Sequence, residues 1–355
     1  MEYRYATIGE ADRMAELHPE LFAARPDLAS PAFPENPIAG EADFPFIFYV
    51  SDGADIVGSR KAIPDTALIG GTRFDWSWCF DTYVSPNHHG KGIGKKLVAM
   101  QVEAFERLNI ISGAAFSAPA MMHIYAKLGY RVLECAPRMT LVRDPKPFIA
   151  AKLPFEPVLS MASAAAALAL KMEQRLRGSR KADREFRLTP IDREAFASRF
   201  QNAEFRSGIN HWALSDAWPV ARLHHNDELV LVEGEGSGDA LALMVLRERA
   251  VDPTSNAAPR RLSIVYFVPL EAGAGVTDII AAGVARLLSE RKMDVVDLIT
   301  SSPDLIESFR KRAFRARGEG MTFVYKIPSA LDIPQFEDIA DWHLTHFCSD
   351  GFLFE

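Results

Sequence analysis

The sequence predicts an α+β fold of two units, each built from a mixed sheet flanked by helices. The chain has 355 residues, enough for two domains that each bury a core. In the first half, three apolar segments separated by turn signals precede a glycine-rich helix start. A similar order of elements returns after residue 185. A repeated order of this kind is typical of an internal duplication.

The first unit is predicted to open with a strand at Glu2 to Thr7 and a helix from Asp12. The turn signals Asp52-Gly53 and Gly70-Gly71 then separate three apolar segments, a pattern that indicates an antiparallel meander. An amphipathic helix follows the meander. The predicted strands and later elements are Phe44 to Val50, Ala54 to Leu68, Arg73 to Val84, Ile110 to Phe116, a helix at Ala120 to Leu128, and short strands at Tyr130 to Leu133 and Met139 to Val142.

An Ala-rich helical segment from Leu159 to Leu176 is predicted to connect the two units. Beyond it, the segment IYAKLGY ending at Tyr130 matches SFRKRAF ending at Phe314. RMTLV from Arg138 likewise matches GMTFV from Gly320. The predicted organisation is residues 1–147 as the first domain, 148–184 as a Pro/Ala-rich connector, 185–328 as the second domain and 329–355 as a tail that docks on a domain surface.

Charge and composition exclude several classes of protein. Lys plus Arg number 40 against 47 Asp plus Glu, which gives a net charge of −7 and no positive field to gather nucleic acid. The longest apolar stretch, Met161 to Leu170, is too short to span a membrane. The first residues do not have the pattern of a signal peptide, so we expect a cytoplasmic protein.

Cysteine and histidine spacing gives no metal site or disulfide framework. The three cysteines, Cys79, Cys135 and Cys348, are scattered. The spacing His343-x-x-His346-x-Cys348 offers possible ligands but lacks a further pair, so an apolar tail packed through Trp342 is the preferred interpretation and no metal is expected.

The glycine-rich segment after Val84 is the most informative motif. Glycines at 90, 92 and 94 allow close backbone approach to an anion, and the helix that follows presents unpaired N–H groups. Three nearby lysines, Lys91, Lys95 and Lys96, add positive charge. The antiparallel strands upstream disfavour a dinucleotide-binding βαβ unit, and the spacing does not fit a Walker loop.

This segment resembles the signature of the GNAT family of acetyl-CoA-dependent N-acetyltransferases. Val84, Pro86, Gly92 and Gly94 match the pattern, and His89 stands where the family has Gln or Arg. The resemblance implies acetyl-CoA as cofactor, with its pantetheine along the strand that ends at Tyr83 and Val84, in a splay between that strand and Ile110 to Phe116. It also implies that the backbone of the loop holds the pyrophosphate. The loop residues concerned are His89, Gly90, Lys91, Gly92, Ile93, Gly94 and Lys95.

The segment IYAKLGY resembles a second family motif, which implies that Tyr125 is the general acid that protonates the leaving thiolate. A phenol placed by a short helix can supply that proton. The alternative is a core tyrosine whose hydroxyl satisfies a neighbouring polar group. The asparagine that many members have seven residues earlier is replaced by Ala118. For the base, Asp81, His88 and His123 are the nearest candidates, with Asp81 on the strand beside the expected acetyl position, and the base is left unassigned.

Applied to the second unit, the same comparison predicts a fold without a cofactor site. Phe309 aligns with Tyr125 and lacks the hydroxyl, and the loop from Pro269 to Gly275 has lost its basic residues.

The predicted activity is therefore transfer of an acetyl group to an amine of a small molecule or peptide. A longer acyl or aminoacyl donor, as in families resembling peptidoglycan and N-myristoyl transferases, and a non-catalytic acyl-CoA sensor or scaffold remain as alternatives. The loops from Phe22 to Asp43 and from Asn202 to Trp218 are expected to shape the acceptor pocket. The acceptor and the oligomeric state are not predicted.

Overall fold

The protein is described here as a computed structural model. The structure describes residues 1–19, 43–69, 72–115, 119–150, 156–178, 185–201, 227–249, 259–271, 274–317, 320–333 and 336–346. The expected acceptor loops and Cys348 lie largely or wholly outside these residues, as does Ala118.

The first half of the chain forms strands and helices close to those expected from its apolar pattern. Strands β1 to β4 make the antiparallel meander, and the later elements complete the unit. The strands are β1 Glu2–Thr7, β2 Pro45–Asp52, β3 Asp55–Ile69, β4 Thr72–Val84, β5 Ile111–Ala115, β6 Arg131–Ala136 and β7 Arg138–Val142. The helices are α1 Ala11–Leu17, α2 Ile93–Leu108 and α3 Pro119–Lys127, with 3-10 turns at Ile8–Glu10 and Pro86–His88.

The second half repeats this order after the connector. Helix α5 is the Ala-rich connector helix, and short helix α4 precedes it. The bounds are α4 Lys146–Ala150, α5 Glu156–Gly178, β8 Phe186–Ile191, α6 Arg193–Gln201, β9 Glu228–Gly234, β10 Ala240–Arg249, β11 Arg261–Pro269, α7 Ala274–Glu290, β12 Val295–Ile299, α8 Pro303–Lys311, β13 Arg315–Ala316 and β14 Met321–Lys326, with a 3-10 turn at Ile339–Asp341.

The two sheets have equivalent strand orders, and each contains one strand from the other half of the chain. The first sheet runs β1-β2-β3-β4-β5-β14-β6 and the second β8-β9-β10-β11-β12-β7-β13. Strand β14 lies between β5 and β6, and β7 pairs with β12 and β13. We expected Met139 to Val142 to complete the first unit, and this is wrong: the strand completes the second sheet, while Met321 to Lys326 completes the first.

The turn that contains Tyr125 and its counterpart around Phe309 have the same geometry. The ring centroids of Tyr125 and Tyr130 are 4.8 Å apart, and those of Phe309 and Phe314 are 4.7 Å apart. In both turns the later residue donates its backbone N–H to the carbonyl of the earlier one at 3.0 Å. This repeated geometry supports the internal duplication that the aligned segments predicted.

The core of the first sheet is closed by the C-terminal segment. The indole of Trp342 packs on Trp76, Phe323, Tyr325 and Phe336, with ring centroids 4.9 to 5.6 Å apart. Trp342 is buried in this contact. Together with the exchanged strands, this contact makes the first sheet depend on residues from the end of the chain.

We predict that the two sheets unfold in one transition, because each is incomplete without a strand from the other half. Phe309→Ala, in the second core, is expected to cost about 3 to 5 kcal/mol. It should lower the urea midpoint seen by Trp76 and Trp78, which lie in the first core. Trp212 and Trp218, outside the described residues, are replaced by Phe so that fluorescence reports the first sheet.

Far-UV circular dichroism on the same samples supplies the control, since it reports both sheets. Coincident curves in both proteins agree with the prediction. An unchanged fluorescence midpoint with an earlier circular-dichroism transition would contradict it.

Candidate active site

The end of β4 and the start of α2 are joined by a tight, glycine-containing loop. The N–H of Ser85 donates to the carbonyl of Val57 at 2.9 Å, which closes the β3–β4 pair where β4 ends. Gly90 and Gly92 both have positive φ, 77° and 74°, and Gly92 caps α2 in the left-handed region. Such backbone favours glycine. A Cβ built on either glycine would meet nothing within 4 Å, so this face of the loop is open.

The start of α2 presents a row of backbone donors without acceptors. The first N–H of the helix that has an acceptor is that of Lys96, which donates to the carbonyl oxygen of Gly92 at 3.1 Å. No side chain caps the start of the helix. For residues 90–95, no acceptor is recorded among the described residues. The side chains of Lys91 and Lys95 are exposed beside this row. Unpaired N–H groups, the positive end of the helix dipole and lysine charge together favour a bound anion.

A close packing contact sets the height of this helix over the sheet. A Cβ on Gly58 of β3 would lie 2.9 Å from Ile93 Cγ2 and 3.3 Å from the carbonyl oxygen of Tyr83. Gly58 therefore lets the first residue of α2 rest directly on the strands. Gly94 faces β4: its added Cβ would lie 3.9 Å from Val84 and 4.0 Å from Thr82.

Strand β4 separates from β5 halfway along its length. The two strands pair in parallel at only three positions, the last being Trp78 with Gly113. Ala114 and Ala115 pair instead with β14 on the other side. Among the described residues, the edge of β4 from Cys79 to Val84 that faces away from β3 has no backbone partner. This open edge leads to the glycine loop and is the splay that the resemblance implied.

The two loop histidines are engaged with neighbouring groups. His89 Nε2 lies 2.9 Å from the carbonyl oxygen of Val84, so the ring holds the loop to the strand end. His88 Nε2 lies 3.5 Å from a carboxylate oxygen of Asp52. His123 is exposed on α3.

Tyr125 is buried under the sheet and bound by an arginine that sequence reasoning missed. Arg60 Nη2 donates to the Tyr125 hydroxyl oxygen at 2.7 Å. The same guanidinium donates from Nε to Gln101 Oε1 at 2.6 Å and from Nη1 to the Thr82 hydroxyl. Arg60 is only 1% exposed. The available signal was an arginine within β3 at a position facing the core.

Two further groups line the space around Arg60. Burial is the main cause that raises the pKa of the Cys79 thiol, and it also raises the pKa of the Tyr130 hydroxyl well above its usual value. Tyr130 shares a hydrogen bond of 2.9 Å with Ser112. Both side chains are therefore neutral near pH 7.

Asp81 lies at a bulge in β4 and forms an ion pair. Its φ is 49°, and the register of β3 with β4 shifts between Ser59 and Lys61, opposite this position. The carboxylate accepts a hydrogen bond from the ammonium of Lys61, which is 2% exposed. Protonating Asp81 would leave a buried ammonium without its counter-charge, which is costly.

Comparison with known proteins agrees with this geometry. Residues 2–133 match the model of a family described as an acetyltransferase (GNAT) domain. The family assignment thus holds for this part of the chain, which is a GNAT acetyltransferase domain. The matched range contains β4, the glycine loop and Tyr125. Members of this family use acyl-CoA as the donor. No curated protein sequence matches the chain significantly.

Solved structures extend the similarity of fold to most of the chain. A GCN5-related N-acetyltransferase from Anabaena variabilis is 13% identical, with a TM-score of 0.58, and the match covers 92% of this chain and 73% of that one. A probable N-acyltransferase from Enterococcus faecalis is 12% identical with a TM-score of 0.59, covering 92% and 72%. A GCN5-related N-acetyltransferase from Kribbella flavida is 16% identical with a TM-score of 0.54, covering 92% and 70%.

In the second unit, the corresponding cleft is bridged by the C-terminal segment. Strands β11 and β12 pair only from Arg261 to Ile264 of β11, which continues to Pro269 paired with β10 alone. His343 Nε2 lies 3.0 Å from the carbonyl oxygen of Phe267, on the part of β11 that does not pair with β12. On the other side, Leu344 N–H donates at 3.0 Å to the hydroxyl of Ser301, just beyond β12, and that hydroxyl donates to the carbonyl of Trp342.

The remaining expectations concern metals and membranes. No group of metal-ligating side chains is found among the described residues, and the ring of His343 is bound to backbone, as above. Within the same ranges, no helix is long and apolar enough to span a membrane.

We predict that the protein loses stability through His343 as the pH falls from about 6.5 towards 4. Burial lowers its pKa from 6.5 to about 4, so in this window the unfolded chain binds a proton that the folded chain does not. The free energy of unfolding should fall by about 3 kcal/mol from this group. His343→Gln keeps an amide donor for Phe267 and cannot titrate.

Urea unfolding at several pH values measures the difference between the two proteins. The variant should show a shallower loss of stability across this window, while the carboxylates contribute equally to both. Parallel pH profiles would contradict the prediction.

Proposed function

We propose that this chain transfers an acetyl group from acetyl-CoA to a primary amine, using one site formed by β4, α2 and α3. The observation that carries the proposal is the row of unpaired N–H groups over residues 90–95 at the end of an open strand edge. A linear ligand with an anionic end and an amide-containing arm suits both features. Coenzyme A has both.

The residues that would hold the cofactor are those of the loop and the strand. Backbone N–H groups from Gly90 to Lys95 would bind the pyrophosphate, and the lysine side chains would add charge. The free edge of β4 near Tyr83 and Val84 would pair with the amides of the pantetheine arm. The tight contact of Ile93 with Gly58 fixes the helix start relative to this edge. Bound acetyl-CoA supplies the activated thioester.

In the proposed reaction, a neutral amine nitrogen attacks the thioester carbonyl, an N–C bond forms and the C–S bond breaks. The Tyr125 hydroxyl gives its proton to the departing sulfur, so coenzyme A leaves as the thiol. The nitrogen releases one proton to water, and the Tyr125 phenolate recovers one from solvent. The products are the N-acetyl amine and coenzyme A.

Asp81 is proposed here as the charge partner of Lys61. We do not assign it as the base, because accepting a proton would remove the counter-charge of the buried Lys61 ammonium. The acceptor amine is then taken to react in its neutral form, with its proton passing to solvent.

The second unit, predicted over 185–328 and completed by β7, is proposed to have no acyl-CoA site. The tail bridges its β11–β12 cleft, and Phe309 replaces the acid. One cofactor site per chain is the consequence.

Calorimetric titration with acetyl-CoA tests the cofactor site. The protein is expected to bind one equivalent, and a Gly92→Asp, Gly94→Asp double variant is expected to lose binding at least 10-fold, because two carboxylates would then face the bound phosphates. Gly236→Asp is the matched control, since Gly236 also has positive φ (87°) and open space at its Cβ, but lies in the second unit. Equal binding by the two mutant proteins would overturn the cofactor site.

Tyr125→Phe tests the proposed acid. We expect kcat for an amine substrate to fall about 100-fold, the low end of what lost acid catalysis costs, with acetyl-CoA binding unchanged. Steady-state kinetics with a panel of amines, and with longer acyl-CoA donors, measures this. A kcat within twofold of the parent would make Tyr125 a core tyrosine; binding without turnover across the panel would make the protein an acyl-CoA sensor.

A further inference from the structure

We propose that Arg60 is the positioning residue for the acid chemistry of Tyr125: it accepts no proton itself, orients the tyrosine hydroxyl and stabilises the phenolate that proton transfer creates. This inference rests on the proposed function of Tyr125 and adds a residue to which neither the sequence motifs nor the family resemblance assigned a role.

Arg60 is a buried cation without a carboxylate. Its recorded hydrogen-bond partners are an amide oxygen and two hydroxyls, those of Gln101, Thr82 and Tyr125. No described residue gives it an ion pair. Burying a charge without a counter-charge costs several kcal/mol. A buried charge that lowers stability in this way points to a functional role for the charge.

The direction of the hydrogen bond decides what the tyrosine proton can do. A guanidinium has only donors, so in the Arg60 contact the Tyr125 oxygen is the acceptor. The hydroxyl proton of Tyr125 must therefore point away from Arg60. The contact with Arg60 therefore does not use the proton that a general acid gives up.

The charges around the pair favour a phenolate on Tyr125 over other anions. Burial lowers the pKa of Arg60, but interaction with Tyr125, Cys79 and Tyr130 outweighs this and holds that pKa above its usual value, so the cation persists. Burial keeps Cys79 and Tyr130 neutral. When the Tyr125 O–H bond breaks and the S–H bond of coenzyme A forms, the oxygen that keeps the electron pair already faces a positive charge.

The second unit shows that the fold does not need this polar cluster. The N–H of Leu270 donates to Leu241 at 2.9 Å, as that of Ser85 does to Val57 at 2.9 Å. Val57 therefore corresponds to Leu241, and Ser85 to Leu270. Three residues after the first pair, Arg60 corresponds to Met244, and three residues before the second pair, Thr82 corresponds to Phe267.

Tyr125 corresponds to Phe309, so the counterparts of Arg60, Thr82 and Tyr125 are all apolar in the second unit. Met244, Phe267 and Phe309 all lie in the core of the second unit. The sheet order is the same in both units. A buried arginine is thus dispensable for the architecture and is found where the tyrosine keeps its hydroxyl.

A double-mutant cycle tests the inference. In the parent protein, Arg60→Met should lower kcat about 10- to 100-fold, the range for a lost hydrogen bond to a charged group, with KM for acetyl-CoA changed less than threefold. In a Tyr125→Phe background, the same substitution should change kcat less than threefold, because the group through which it acts is gone. A purely structural role would give the same loss in both backgrounds and would overturn the inference.

The pH profile supplies a second, independent readout. The basic limb of the kcat profile, where the acid loses its proton, should move to higher pH in Arg60→Met, because the cation that favours the phenolate is gone. In Arg60→Lys, which keeps the charge, the limb should stay within about 0.3 pH units of the parent. Cys79 and Tyr130, the other titratable groups that face Arg60, are present in all variants. An unmoved limb in Arg60→Met would also overturn the inference. If Arg60→Met fails to fold, Arg60→Gln replaces it.

Arg247→Lys is the matched control, since Arg247 is also buried but pairs with Asp227 in the second unit. It should leave the kinetics unchanged. If the parent protein shows no turnover, or Tyr125→Phe is as active as the parent, the proposed function fails. If both behave as proposed and only the Arg60 effects are missing, the failure belongs to this inference alone.

Discussion

The separation of β4 from β5 after Trp78 is the constraint on which the rest of the site depends. Among the described residues, β5 makes no hydrogen bonds with β4 over Cys79 to Val84, so this edge of β4 stays available. The backbone groups of such an edge bind water or another partner. In the first unit we propose a cofactor for that place; in the second, the chain supplies its own residues around His343. The same separation of two neighbouring strands thus occurs in both units, with the cofactor proposed for one and residues of the chain itself in the other.

The two units also differ in polarity beside the cleft, around the side chain of Tyr125 in the first unit and that of Phe309 in the second. Arg60, Thr82 and Tyr125 make a hydrogen-bonded group in one copy, and apolar side chains fill the space in the other. A core made of well-packed apolar groups is usually at least as stable as one with buried charge. The buried polar group in the first unit is therefore explained by the proposed chemistry. The apolar side chains in the second unit are explained by packing.

Much of the fold could be predicted from the sequence because its signals are local. Alternation of apolar residues, the turn at Asp52-Gly53 and the glycine start of α2 each act within a few residues, and the structure confirms these elements. The strand exchange could not be predicted, since RMTLV and GMTFV are so alike that local pattern cannot say which sheet each joins. Arg60 was missed because a single arginine in a strand gives no periodic signal. The bridging role of His343 depends on a contact with Phe267 across 76 residues of sequence.

The exchange of β7 and β14 also sets the order in which the protein can be built. During synthesis the chain emerges from its N-terminus, so β5 and β6 are made long before the strand that must lie between them. The gap can close only when the second half has been translated. The first sheet, which carries the cleft proposed for the cofactor, is consequently complete only after most of the chain has been translated.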